Sequence, residues 1–196
     1  MQSRIPGFHG EYLWELDIAR MQLLALANAA PEQIYGWSPT EGTRSFSAVL
    51  VHIAVGNFGL LHFAGIPTSG GIDLYGNLQG DEFARTAAIV RENMARERTI
   101  TEKQSVIDLL SRSFEAVQQS FGECSFDALE AAVDCFGERT TLRRVFLRML
   151  THTHEHMGQA IAYARTYGMA MPWPDPLKAF DSVPPAAELR KSSQAQ

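Results

Sequence analysis

Thr151-His152-Thr153-His154-Glu155-His156-Met157-Gly158-Gln159 lies inside a proline-free run from Thr141 to Tyr167 that is rich in Leu, Arg, Ala and Met. That run is long enough for about seven helical turns and predicts one long helix. Residues four apart on a helix lie one above the other, so His152 and His156 share a face. Two imidazoles at this spacing can hold one metal ion. His154 points to roughly the opposite side and cannot join them. Two ligands do not complete a site, and taken alone the pair reads more readily as surface decoration. The fold and the function both turn on what the rest of the chain brings to this helix.

At 196 residues the chain fits one domain with a single substantial core. Apolar residues make up 45% and charged residues 20%, ordinary values for a globular protein. The net charge is −5 and no Lys/Arg block exceeds two residues, so the footprint of nucleic-acid binding is absent. Cys124 and Cys135 have ten residues between them and form no Cys-x-x-Cys pair. They read as free thiols or one local bridge, not as a disulfide framework. No apolar run is expected to reach the length that spans a bilayer, and no membrane association is expected. The segment from Leu23 to Ala30 mimics the end of a signal peptide, but Glu11, Glu15, Asp17 and Arg20 break the region before it. The expected location is cytoplasmic.

Outward from the histidine run, the pattern is helical almost throughout. A first helix is predicted from Phe8 to Ala29, with a face of Leu13, Leu16, Leu23 and Ala27 broadened by Trp14 and Met21. Residues 35–42 carry turn chemistry. Ser45 is a fitting N-cap for a second helix to about Ala64, with Phe46, Val49, Leu50, Ile53, Leu60 and Leu61 as its core stripe. His52 lies beside that stripe, and Gly56 and Gly59 follow it. Each interior glycine costs roughly 1 kcal/mol relative to alanine, so space for a helix or ligand near His52, or simply tight helix packing, must account for them.

A glycine-rich loop from Gly65 to Gly80 leads to a polar helix from Asp81 to about Arg96. Another helix is predicted from Thr101 to Phe121, with Val106, Leu109, Leu110, Phe114, Val117 and Phe121 at i, i+3, i+4, i+8, i+11 and i+15. Thr101 with Gln104 would form its capping box. Residues 132–141 suggest a small hairpin around Gly137. After Gly168, a helix C-cap, the alternating prolines Pro172, Pro174 and Pro176 exclude helix and sheet interior, and Trp173 is placed to pin this extended tail. The composition from Ser182 onward suggests disorder, so residues 1–181 form one domain and 182–196 a flexible tail. Four principal helices indicate an all-α four-helix bundle.

His52 is the natural third ligand, because two long helices of one bundle can face each other and each brings imidazole to the core side. A buried imidazole cluster is costly to desolvate, and a shared divalent cation would satisfy it. Three nitrogens leave one coordination position open for water or substrate. Spacing excludes a His-Glu-x-x-His zincin and a Glu-x-x-His di-iron bundle, and neither a Gly-x-Ser-x-Gly elbow nor a P-loop is present. Asn57, Gln159 and Tyr163 are candidate substrate-binding residues, with ordinary core-edge polarity as their alternative.

His52 in Ser45-Phe46-Ser47-Ala48-Val49-Leu50-Val51-His52, followed by His152-x-x-x-His156-x-Gly158-Gln159 and Tyr163-Ala164-Arg165, resembles the DinB-like superfamily of metal-binding four-helix proteins. The resemblance spans roughly Phe8 to Tyr167 and includes the Trp37-Ser38-Pro39 approach to the second helix. It places the family's three metal-binding histidines on His52, His152 and His156. Many members carry Arg where this chain has Met157. The resemblance implies a down-up-up-down bundle, a homodimer, a divalent metal ion (nickel or zinc before others) and a small-molecule substrate. It further implies S-transfer with a low-molecular-weight thiol cosubstrate, or hydrolysis. The alternative is a non-catalytic metal-binding or dimerising bundle with a stress-response or accessory role.

Overall fold

In the computed structural model, which describes residues 7–67, 74–175, 178 and 183, the chain begins with α1 (Phe8–Ala29), where the sequence places it. Its buried side is Tyr12, Leu16, Ala19, Leu23, Leu26 and Ala27. Trp14 and Met21 face outward instead of broadening the core face, because the contact with the bundle turns toward Tyr12 and Ala19. Pro31, which cannot continue α1, starts the short α2 (Glu32–Tyr35), an element the turn-rich composition hides.

The next helix, α3 (Phe46–Phe63), is capped by Ser45, whose Oγ accepts from Ala48 N at 3.2 Å. All six predicted stripe residues are buried, and so are most of the others. This corrects the expectation that no segment reaches membrane-spanning length. By length and composition α3 does, and 78% of it is buried inside the protein. It is apolar all round because α2, α4, α5 and α7 all pack against it.

The polar helix is α4 (Glu82–Thr99), capped by Asp81 Oδ1 accepting from Ala84 N at 2.8 Å. At 18 residues it equals α3 in length, so it is a further long helix beside the four expected. It packs chiefly on α3. Then comes α5 (Lys103–Gly122), capped by Glu102, which accepts from Gln104 N and Ser105 N. The predicted Thr101–Gln104 capping box is not formed, because the first turn begins two residues after Thr101.

A turn of helix, α6 (Phe126–Leu129), precedes β1 (Ala132–Cys135) and β2 (Glu138–Thr141), an antiparallel pair in register Ala132↔Thr141 to Cys135↔Glu138. The two residues between them, Phe136 and Gly137, have φ of 54° and 77°, as a two-residue primed turn requires. Thr141 ends the hairpin and caps α7 (Leu142–Thr166), its side chain accepting from Arg144 N at 3.3 Å. Gly168, with φ of 91°, closes α7 as Met169 N donates to Ala164 O at 2.9 Å.

The structure is mostly helical, with seven helices among the described residues. Of the long ones, α1 packs on α5 and α7, and α3 packs on the same two. Residues 169–175 contain no helix or strand, and Trp173 packs half-buried against the core. Pro176 and, apart from Val183, the expected flexible tail 182–196 lie outside the described residues.

Candidate metal centre

The seam between α3 and α7 brings the three predicted histidines together. His152 and His156 project from one face of α7, and His52 from the facing side of α3. One ligand atom from each lies within 4.8 Å of the others. The two Nε2 atoms of His52 and His152 are 3.1 Å apart. Ring centroids are separated by 4.4 to 4.9 Å. A tetrahedral ion with bonds of about 2.0–2.1 Å holds its nitrogens roughly 3.3 Å apart, close to the His52–His152 separation.

Gly56 makes this approach possible. A Cβ there would stand 2.5 Å from His152 Cε1 and 3.0 Å from its Nδ1. The missing side chain is filled by the imidazole of the facing helix. Gly59 serves the other account, since its neighbours at 3.5 Å are Ile89, Asn93 and Tyr75, all ordinary packing.

The outer nitrogens decide which inner ones are free. Glu97 Oε1 lies 2.7 Å from His52 Nδ1, and a carboxylate can only accept, so Nδ1 carries the proton and Nε2 the lone pair. Gln159 Oε1 meets His156 Nδ1 at 2.9 Å, while Gln159 Nε2 donates to Tyr163 Oη at 3.0 Å. That chain protonates His156 at Nδ1 and bares its Nε2. His152 Nδ1 is buried without a hydrogen-bond partner. Three bare or orphaned imidazoles facing one another suit a divalent ion better than any protein group nearby.

The electrostatics agree. Burial, then the neighbouring imidazoles and Arg148, push His152 down to about 3. Burial also lowers His156, against the hydrogen bond to Gln159, which raises it. Both are therefore neutral, the ligating form, at physiological pH. Glu97 is only 7% exposed. Burial would raise its carboxyl, but hydrogen bonds from His52 and Arg44 outweigh this and hold it below the ordinary range. Arg44 Nε donates to Glu97 Oε2 at 2.7 Å.

A cleft of about 830 Å³ opens beside the centre, lined by His52, Glu97, Arg44, Gln159 and Tyr163, with Val90 and Met94 as an apolar wall. Gln159 and Tyr163 line the cleft, Gln159 also holding His156 Nδ1. Asn57 is a correction: it is fully buried, donates to Ser113 Oγ at 3.3 Å on the α5 side of α3, and does not line this cleft. Five positions after His52, it has turned about 140° around the helix. His62 meets Tyr75 edge-on, His9 Nε2 donates to Cys124 O, and His154 Nδ1 donates to Leu150 O, so none of these joins the centre.

Glu97 and Arg44 are the participants that sequence reading misses. The signal for Glu97 is the narrow stripe Ile89, Asn93, Glu97, four apart on an otherwise polar helix. It is visible only once α4 is known to lie on α3.

Among known proteins, the family model of the DinB superfamily matches residues 15–160. A crystal structure of a DinB-like protein from Bacillus cereus is similar, with a TM-score of 0.64 and 15% identity, over 86% of this chain and 97% of that one. At that identity the likeness speaks for the fold. No curated protein matches the chain.

Proposed function

The chain belongs to the DinB superfamily, and on that footing we propose that it is a divalent-metal-dependent enzyme that uses His52, His152 and His156 to activate a thiol or water against a small substrate. The observation that carries this reading is the convergence of three imidazoles from two helices within 4.8 Å, with no carboxylate or thiol among them. Three protein nitrogens leave a position for an exogenous ligand, the arrangement of catalytic rather than closed structural sites. We read α1, α3, α5 and α7 as a down-up-up-down four-helix bundle that holds this centre between its second and last members.

When bound, the metal supplies Lewis acidity, lowering the pKa of a coordinated thiol or water. The chain's own residues do the rest. His52 and His156 keep their lone pairs inward because Glu97 and Gln159 hold the outer protons. Tyr163 fixes the Gln159 amide. The cleft offers an apolar wall at Val90 and Met94 for the body of a small molecule. Imidazole donors do not by themselves select the ion. Nickel or zinc is our choice, with a low-molecular-weight thiol as cosubstrate in the transfer version of the reaction.

A second reading has its own observation. The 3.1 Å between His52 Nε2 and His152 Nε2 is also a hydrogen-bond distance, so the trio could be a polar core without metal. Elemental mass spectrometry on untagged protein separates the two. About one equivalent in the wild type, lost in both His52→Ala and His156→Ala, is the expected result. Thiol-conjugation and hydrolysis panels on the loaded protein then test turnover. A wild type that takes up no nickel or zinc after reconstitution overturns the metal reading, and loaded protein inert in both panels overturns the enzyme reading.

A further inference from the structure

We propose that Glu97, on the helix that flanks the bundle, is a positioning residue for the metal, acting through His52, and that Arg44 is its clamp. The inference rests on the metal reading above. Carboxylates are almost never buried unless paired, and Glu97 is 7% exposed. Its two oxygens are divided between two partners. Oε1 takes the His52 Nδ1 proton at 2.7 Å, and Oε2 takes Arg44 Nε at 2.7 Å. The second Arg44 nitrogen is 3.5 Å from Oε1, so the guanidinium straddles the carboxylate.

This arrangement does two things to His52. It selects the tautomer with Nε2 free, and it removes the ring flip that would present Nδ1 to the centre instead. A carboxylate on the outer N–H also makes the inner nitrogen a stronger donor. Reach matters too, since the three residues come from the loop before α3, from α3 itself and from α4. The register between α4 and α3 is fixed one turn away, where Tyr75 Oη donates to Asn93 Oδ1 at 2.7 Å and stands 3.0 Å from Val55 O. Helix α4, polar and outside the packed ring, thereby becomes part of the centre.

A merely structural ion pair would have the same contacts, so the test reads metal affinity apart from stability. Zinc dissociation constants are measured by competition with a chromophoric chelator for wild type, Glu97→Ala, Glu97→Gln and Arg44→Gln. Thermal unfolding of the metal-free forms and the visible spectrum of the cobalt(II) forms are recorded beside them. Glu97→Ala is expected to weaken zinc by about 10- to 100-fold at unchanged stoichiometry. Glu97→Gln keeps an acceptor for the His52 proton but loses the charge, and should fall between alanine and wild type with a shifted cobalt spectrum. Arg44→Gln should weaken zinc in the same direction by less.

Wild-type affinity and spectrum in Glu97→Gln, together with a lowered metal-free unfolding temperature, would overturn the inference and leave a structural ion pair. If Glu97→Ala does not fold, Glu97→Gln decides alone. A wild type that binds neither zinc nor nickel removes the metal reading and this inference together. A wild type that binds zinc beside unaffected Glu97 variants removes this inference only.

Discussion

Near the start of α7, Phe146 sits against Tyr12 and Phe121, with ring centroids 5.8 and 4.9 Å away. Six residues further along the same helix, His152 begins the imidazole cluster. The first region includes a histidine as well. His9 packs between Phe121 and Phe126 at 4.7 Å from each, and its Nε2 meets Cys124 O at 2.8 Å. Tyr12 Oη likewise donates to Phe146 O at 3.0 Å. Here His9 Nε2 and Tyr12 Oη each donate to a backbone oxygen, while His9 Nδ1 is buried without a hydrogen-bond partner, and the rings supply burial worth roughly 1.5–3 kcal/mol apiece. Midway along α7 the inner nitrogens of three imidazoles face one another. The difference between His9 and the trio lies in company: one imidazole set among aromatic rings, against three imidazoles gathered on one another.

The strongest way to break the contrast is to remove a ligand. His152→Ala should take the zinc content from about one equivalent to none by elemental analysis. The same change should cost metal-free stability little, since the lost ring carries an unpartnered buried nitrogen. Retained stoichiometric zinc would show that His152 is no ligand. The converse comes from Phe146→Ala, expected to destabilise by about 3–5 kcal/mol in denaturant unfolding while the folded protein still binds one zinc. Loss of metal in the folded protein would mean the two regions are not separable.

Gly56→Ala sharpens the comparison without replacing a ligand. The new methyl would stand 2.5 Å from His152 Cε1 and push the ring aside, so zinc affinity should fall on the order of 10- to 100-fold, as in other losses of ligand orientation. Unchanged affinity would mean that the α3–α7 seam yields freely.

The two regions should also part with pH in metal-free protein. His152 is held at about 3 in the fold against an ordinary 6.5. Its unfolded form therefore takes up a proton first, and stability falls as pH drops from about 6.5 toward 3. The lowered Glu97 carboxyl acts with the same sign, its stabilisation being present at neutral pH and lost on acidification. Unfolding temperatures measured at several pH values should thus drop more steeply in wild type than in His152→Ala, and parallel profiles would contradict this. The smallest effect is expected from Tyr163→Phe. It removes one hydrogen bond behind His156, worth about 0.5–1.5 kcal/mol, and should weaken zinc only a few-fold.

Much of this was legible before any coordinates. The boundaries of α1, α3 and α7, the Ser45 and Gly168 caps and the hairpin turn all follow from local rules. So does the choice of His52, His152 and His156, since a four-residue spacing on one helix and a histidine beside the core stripe of another can be read from the chain. Asn57 is nearby in the chain but about 140° around the helix from His52, so it faces α5 and not α7. On α1 the face of Leu16, Leu23 and Ala27 is buried as its spacing predicts, and only apolar Trp14 and Met21 are turned away from it.

The sequence by itself determined what periodicity and composition encode, namely a helical protein of this family with two imidazole-bearing helices. Only the tertiary structure decided the rest. It lays polar α4 along α3, so that a glutamate held by an arginine from a loop meets the outer nitrogen of a histidine 45 residues before that glutamate. It also fills the space above Gly56 with a ring that lies 96 positions further along the chain. Local pattern carries information about one helix at a time. Contacts such as these depend on the rotation and register of one helix against another, which the packing of all of them sets together.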